Sequence, residues 1–340
     1  MKRSLSLLAF LFIAGALCTL PAHGQAAPDK PGVVSDKQAD DLLAAVVKIR
    51  MKALADARSN ASLGPSREGS GVVIDDKGHV LTIGYLVIEA DAIEVTSAEG
   101  KTSPATLIGY DHATGFGLLR TVLPLGVKPI DMGASGDLAV REPVMVAPHG
   151  GREFVSRAFV VSRRQFTGSW EYLLDSAIFT SPPTFTWAGS ALISREGKLV
   201  GIGSLLVRDS MEPGTPLPGN MFVPIDLLKP ILADLIGKGR VEGPPRPWLG
   251  MATEEVQGKL FVTRVSPDAP SDNAGIRRGD IIVGVGADSV STHAELYQKL
   301  WSLGPAGTEV PLKVLQGASV KELKVRSIDR TEYFRSKPTL

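Results

Sequence analysis

From Val46 to Ile202 the chain repeats one pattern: a short run in which apolar and polar side chains alternate, then a turn rich in glycine and aspartate. Val46-Val47-Lys48-Ile49-Arg50-Met51 alternates loosely and predicts an opening strand. Gly71-Val72-Val73-Ile74 leads through Asp75-Asp76-Lys77-Gly78 into Val80-Leu81-Thr82. Ile93-Glu94-Val95-Thr96 leads through Glu99-Gly100 into Ala105-Thr106-Leu107-Ile108. Val160-Val161-Ser162, Leu192-Ile193-Ser194 and Leu199-Val200-Gly201-Ile202 continue the series. Many short strands joined by glycine-containing turns predict an all-β barrel domain.

The pattern changes after Ile202. Residues 208–220, with Pro213, Gly214, Pro216, Pro218 and Gly219, predict a loop, and leucine and isoleucine at helical spacing predict a helix over Asp226 to Ile236. Gly237 and Gly239 are its expected stops. Val241-Glu242-Gly243-Pro244-Pro245-Arg246-Pro247 reads as a stiff linker, because three prolines favour extended backbone, and it places a domain boundary near 243. Beyond it, Trp248-Leu249-Gly250-Met251 precedes a hairpin whose second strand is Leu260 to Val265. Thr292-His293-Ala294-Glu295 has capping-box spacing and predicts a helix start, with Leu296, Leu300 and Leu303 on one apolar face, the last two read as core. The expected layout is a leader over 1–24, a flexible lead-in over 25–40, a barrel domain over 41–240, a linker over 241–247, a small α+β domain over 248–327 and a tail over 328–340.

Composition narrows the chemistry. A length of 340 residues suits about two domains, each with its own core. Lys2 and Arg3 ahead of the apolar run Leu5 to Leu17, ending near Pro21-Ala22-His23-Gly24, have the layout of a secretory leader; the run is short for a membrane span. The sole cysteine, Cys18, lies inside it, and the bulky Leu17 before it argues against a lipid anchor. The exported chain is therefore expected to lack disulfides and thiolate metal sites. Once Lys2 and Arg3 leave with the leader, 35 basic residues face 36 acidic ones, which gives no electrostatic reason to bind nucleic acid or an anionic membrane. His79, His112, His149 and His293 are scattered without metal-ligand spacing. Gly201-Ile202-Gly203 and Gly284-Val285-Gly286 lack the third glycine of a nucleotide site, so no cofactor is expected.

The stretch Gly69-Ser70-Gly71-Val72-Val73-Ile74, through Gly78-His79-Val80-Leu81 to Thr82-Ile83-Gly84-Tyr85-Leu86-Val87, resembles the first half of an HtrA-family serine protease, where a Gly-Ser-Gly strand leads to Thr-Asn-Asn-His-Val-Val. The resemblance runs over about residues 41–327 and implies a chymotrypsin-like double β-barrel. It also sets Tyr85 on the histidine position. The family's Thr-Asp-Leu-Ala-Leu-Leu falls on Thr114-Gly115-Phe116-Gly117-Leu118-Leu119, so Gly115 takes the aspartate's place. Counting back from the hairpin Gly197-Lys198-Leu199-Val200-Gly201-Ile202, the nucleophile motif falls on Thr186-Trp187-Ala188-Gly189-Ser190-Ala191-Leu192, so Ala188 replaces the serine. A phenol is no general base near neutral pH, glycine cannot orient one, and alanine is no nucleophile. Ser190 is the fallback nucleophile, at the cost of sliding the match by two residues. His79 is expected as a surface or strand histidine, Asp111 and His112 as turn residues, and Thr186 and Trp187 to reshape or fill the old cleft.

Ala274-Gly275-Ile276-Arg277-Arg278-Gly279-Asp280-Ile281-Ile282 resembles the PDZ domains attached to these proteases. That implies a groove which adds a peptide as an extra strand and holds its C-terminal carboxylate on loop amides, here Leu249-Gly250-Met251. His293 and Leu296 fall on the groove helix. His293 is placed to read a Ser or Thr hydroxyl, against the reading of an exposed first-turn histidine without ligand role. Together the resemblances imply an exported, periplasmic HtrA-like pseudoprotease that binds C-termini or exposed strands of envelope proteins. A divergent serine endopeptidase using Ser190 and a chaperone-like binder of unfolded protein are the alternatives. The absence of Phe, Tyr and Trp between Gln25 and Gly84 removes the family's aromatic trimer contact, and a monomer or weak oligomer is expected.

Overall fold

In the first strand, Val46–Ala53 (β1), the residues Val47, Ile49, Met51 and Ala53 are buried while Arg50 and Lys52 are exposed, so the alternation of the sequence becomes the inside and outside of a barrel wall. The computed structural model describes residues 36–334. The proposed leader and the end of the tail lie outside the described residues. A helix, Asp36–Ala44, begins within the segment expected to be a flexible lead-in.

β1, β2 (Ser66–Val73), β3 (His79–Ile83), β4 (Ala90–Thr96), β5 (Thr102–Tyr110) and β6 (Phe116–Thr121) close into a barrel in the order β1-β2-β3-β6-β5-β4. A second barrel, in the order β10-β11-β12-β9-β8-β7, is built from β7 (Pro143–Ala147), β8 (Ser156–Gly168), β9 (Tyr172–Ser181), β10 (Ala191–Ile193), β11 (Leu199–Val207) and β12 (Gly219–Pro224). One apolar core runs from the first barrel into the second, through Phe116, Leu118 and Ile83 to Ala147, Phe179 and Ile202. A smaller cluster around Ile178, Leu192 and Phe222 fills the rest of the second barrel.

The helix expected over Asp226 to Ile236 is shorter. A single 3₁₀ turn spans Ile225–Leu227, and the α-helix spans only Leu232–Lys238. Pro230 has no amide hydrogen and clashes with a preceding helical turn, so the helix cannot start before it. Gly239, in the left-handed region, ends the helix with its N–H on the Leu235 carbonyl.

The C-terminal module holds β13 (Pro247–Trp248), β14 (Met251–Val256), β15 (Lys259–Val265), β16 (Ile281–Val285), β17 (Asp288–Ser289), β18 (Glu309–Gln316), β19 (Ser319–Arg326) and β20 (Ile328–Asp329). Its main sheet runs β14-β15-β16-β18-β19, with β17 on β16 and β13 paired with β20. The helix His293–Ser302 is capped as expected: the Thr292 side chain accepts from the Glu295 amide, and Glu295 reaches back. Leu296 and Leu300 join the module's core, but Leu303, expected there too, is 42% exposed because the helix has ended at Ser302. That core also includes Leu173, from β9 of the second barrel. Among the described residues no helix is long and apolar enough to cross a membrane.

Candidate functional site

β3 ends in a 3₁₀ turn, Gly84–Leu86, that only glycine can open, since a Cβ on Gly84 would fall 1.7 Å from the Tyr110 ring. The turn sends Tyr85 toward the second barrel, where its hydroxyl donates to the Ser204 carbonyl at 2.8 Å. Burial pushes the phenol above its ordinary range, so it keeps its proton at neutral pH. Tyr85→Phe would leave the Ser204 carbonyl without this donor and is expected to cost about 1–3 kcal/mol, read by urea unfolding.

Gly115 lies in the left-handed region at φ +84°; its N–H donates to the Asp111 carbonyl and its own carbonyl accepts from the Gly84 amide, each at 2.7 Å. The Asp111 carboxylate accepts from the Thr114 amide (2.8 Å) and hydroxyl (2.6 Å), which holds the turn. The room beyond Gly115 is taken: the Tyr172 hydroxyl donates to the Thr114 carbonyl at 2.6 Å and stands 3.3 Å from where a Cβ would sit.

The Ala188 carbonyl accepts from the Ser70 amide at 2.9 Å, which ties the expected nucleophile loop to β2. Ser190, the fallback nucleophile, is 0% exposed; its hydroxyl donates to the Trp187 carbonyl at 2.9 Å and so faces its own loop rather than a base. His79 stands on strand β3, one of the two places expected for it, and is buried there with Nδ1 2.6 Å from Asp75. The sequence reading overlooked a different serine–histidine contact. Ser70 Oγ lies 3.0 Å from His149 Nδ1, and His149 Nε2 lies 4.0 Å from Glu68. Burial, and then the nearby Lys48, lower the His149 pKa. Ser70 is itself buried, and its hydroxyl also accepts from the His149 backbone amide at 3.0 Å.

Open space lies where the barrels meet the C-terminal module, with Trp248, Gly250, Met251 and Arg330 of the module on one side. A cavity of about 460 Å³ is walled by Tyr85, Gly115, Trp187, Trp170, Tyr172 and His112 among others. It brings together two of the three expected triad positions with the indole next to the third. His112 is thus more than a turn residue. It lies edge-on to Tyr110 and stacks on Phe334, with a buried Nδ1 that has no partner among the described residues, and burial holds it neutral. Among the described residues, no cluster of three or more His, Cys, Asp or Glu could hold a metal ion.

In the C-terminal module, Gly250 has φ +82°, and a Cβ there would meet Ala269 at 2.3 Å. This conformation turns three successive amides, Leu249, Gly250 and Met251, toward one point, and a carboxylate occupies that point. Glu171, in the β8–β9 hairpin tip, accepts from Leu249 N (2.9 Å), Gly250 N (2.7 Å) and Met251 N (3.2 Å). The same tip touches the groove twice more. The Ser169 carbonyl accepts from Thr253 N on β14 at 3.1 Å, and the Glu171 amide donates to the Tyr297 hydroxyl at 3.2 Å. His293 is 8% exposed rather than open: Nε2 contacts the Thr253 carbonyl at 2.9 Å, Nδ1 lies 3.1 Å from Glu255, and the ring stacks on Tyr297. Leu296 is buried in the module's core.

Residues 69–202 match the family described as trypsin-like peptidase domain, and residues 247–326 match the PDZ domain family. The chain joins a trypsin-like peptidase domain to a PDZ domain. The serine endoprotease DegS of Escherichia coli is similar to it, 26% identical over 273 residues that cover 76% of this chain and 75% of that one. The periplasmic pH-dependent serine endoprotease DegQ of Escherichia coli is 27% identical over 365 residues, covering 96% of this chain and 78% of that one. A solved structure described as the HtrA-type protease AlgW with decapeptide aligns with a TM-score of 0.51 at 19% identity, over 88% of this chain and 99% of that one, a likeness of fold. The Leu249-Gly250-Met251 amides lie within the residues that match the PDZ domain, and Glu171 lies within those that match the trypsin-like peptidase domain.

Proposed function

We propose that this chain is an exported, periplasmic HtrA-like binding protein that does not cleave peptide bonds. Its PDZ domain takes the C-termini or exposed strands of envelope proteins, and its paired barrels serve as scaffold. One observation carries the reading. The three positions that resemble the triad hold a phenol committed to the Ser204 carbonyl, a glycine and an alanine, so no group there can take, relay or donate a proton. Removing the triad from an enzyme of this mechanism lowers turnover by on the order of 10⁶. The carboxylate-shaped loop Leu249-Gly250-Met251 supports the binding half of the reading.

The test is digestion of a reduced, unfolded protein by the purified chain beside Ser190→Ala and Ser70→Ala, with an active HtrA-type relative as reference. No cleavage by any of the three is expected. Cleavage lost only in Ser190→Ala would restore the divergent endopeptidase, and cleavage lost only in Ser70→Ala would make the Ser70–His149 pair its engine. The aromatic-walled cavity favours a second role in holding apolar side chains of unfolded clients, since its volume lies in the range of small-ligand pockets. Suppression of client aggregation, lost on Trp187→Ala, would read that role out.

A further inference from the structure

The hairpin tip reproduces, within one chain, the two contacts by which a groove of this kind holds a peptide. A strand edge is met by a backbone carbonyl, Ser169 on the Thr253 amide, and a carboxylate is seated on three convergent amides. A third element is apolar: two residues beyond Glu171, Leu173 enters the cluster formed by Leu249, Met251, Leu296 and Leu300. The hydroxyl of Tyr297, on the groove helix, accepts from the Glu171 amide and donates to the Gly168 carbonyl at 2.7 Å, which pins the tip from the other side. Glu171 is 6% exposed and holds φ +59°, a region that a glutamate enters only when its surroundings over-determine it. An ionised carboxylate buried to this degree is costly unless it is fully hydrogen-bonded, and here the bonds come from the ligand loop itself.

We infer that Glu171 is the resident ligand of the PDZ carboxylate loop, and that a partner enters by exchange: a peptide with a free C-terminal carboxylate displaces the Glu171 side chain and the Ser169 strand contact together. This rests on the proposed peptide-binding function and deepens it by stating what the partner must offer and what it must remove. An internal strand without a terminal carboxylate cannot replace the three amide bonds that Glu171 makes, so the exchange selects for chain ends. The tip also belongs to the cavity. Trp170 and Tyr172 flank Glu171 and wall it, and the Tyr172 hydroxyl holds the Thr114 carbonyl beside Gly115. Arrival of a chain end at the PDZ loop therefore withdraws one wall of the old cleft.

Exchange lowers the apparent affinity by the fraction of molecules with a free loop, so freeing the loop raises it by the same factor. The test compares the purified chain with Glu171→Gly, which suits the left-handed backbone, and Glu171→Gln, which keeps the volume but replaces one acceptor oxygen with an NH2 donor set against the loop's own N–H groups. The probe is a pooled peptide library with randomised ends and free C-terminal carboxylates, run beside the same library amidated. Both variants are expected to bind the carboxylate library at least ~10-fold more tightly than the parent, and none of the three to bind the amidated one. Hydrogen exchange gives a readout without any peptide. The amides of Leu249, Gly250 and Met251 should be protected in the parent and exchange at least ~10-fold faster in both variants, with those of Val310, Leu312 and Val314 on β18 unchanged as a control for folding. Equal peptide affinity in all three chains, or loop amides that exchange alike in all three, would overturn the resident-ligand inference and leave the peptide-binding function standing. No binding even by the variants, with their loops shown free, would overturn that function and the exchange with it.

Discussion

Gly189→Ala should cost the fold about 3–5 kcal/mol. Gly189 sits at φ +72°, and a Cβ on it would lie 1.9 Å from the Ser70 carbonyl oxygen and 2.7 Å from Thr82 Oγ1. Neither obstacle is a loose end, because the Thr82 hydroxyl itself donates to that same Ser70 carbonyl at 2.7 Å. To admit the methyl, the loop must leave β2, which breaks the bond from the Ser70 amide to the Ala188 carbonyl and strains that from the Gly189 amide to Gly203, each 2.9 Å. Left-handed backbone adds about 1–2 kcal/mol for any residue with a side chain. Against a total stability of about 5–15 kcal/mol this is a severe loss, measurable by urea unfolding. A cost below about 1 kcal/mol would mean that the loop carrying Ala188 is not seated on β2 as described. The same seating constrains any serine introduced at position 188.

The second large effect is electrostatic and depends on pH. Burial pushes the Glu171 carboxyl up to about 7, against the amides of Leu249, Gly250 and Met251 and the facing Arg330 guanidinium, which favour the ionised form; the Tyr297 hydroxyl is the other titratable group against the tip. The ordinary value is 4.5, so the folded protein holds this proton more tightly than the unfolded chain does. The resulting stabilisation is complete below about pH 4.5 and is lost as the pH rises through about 7, by about 3 kcal/mol in all. Glu171→Gln carries no such proton. The stability of the parent relative to Glu171→Gln should therefore fall by about 3 kcal/mol between pH 4.5 and pH 8, followed by chemical unfolding at a series of pH values. A difference that stays flat, or grows with pH, would show that the three amides and Arg330 outweigh burial. The same sign applies to the groove: alkaline conditions make the ionised tip costlier to keep buried and favour entry of a chain end.

Much of the fold was legible because its signals are local. The alternation in Val46 to Met51, the glycines of the hairpin turns and the Thr292–Glu295 box act over a few residues, and each appears in the structure where the pattern put it. The departures were local too, but competing. Leucine spacing argued for a helix from Asp226, and Pro230 prevailed because a missing amide and a ring clash outweigh periodicity. Leu303 kept the apolar spacing after the helix that gave the spacing meaning had ended. His293 read as an open histidine because its partners, Thr253 and Glu255, leave no mark on its own segment.

By itself the sequence determined the barrel strands, the PDZ-like module and the residues standing at Tyr85, Gly115 and Ala188, since backbone propensity, side-chain alternation and motif order are properties of neighbours along the chain. Only the tertiary structure decided what those residues face. Ser70 and His149 are 79 positions apart, and Glu171 lies 78 to 80 positions from the three amides it occupies. A glutamate in a hairpin tip looks in sequence like any solvated turn acid. It becomes a ligand because the fold brings a carboxylate from the barrel hairpin and three aligned N–H groups of the C-terminal module within 3.2 Å, and hydrogen bonding at that distance depends on position in space, not along the chain.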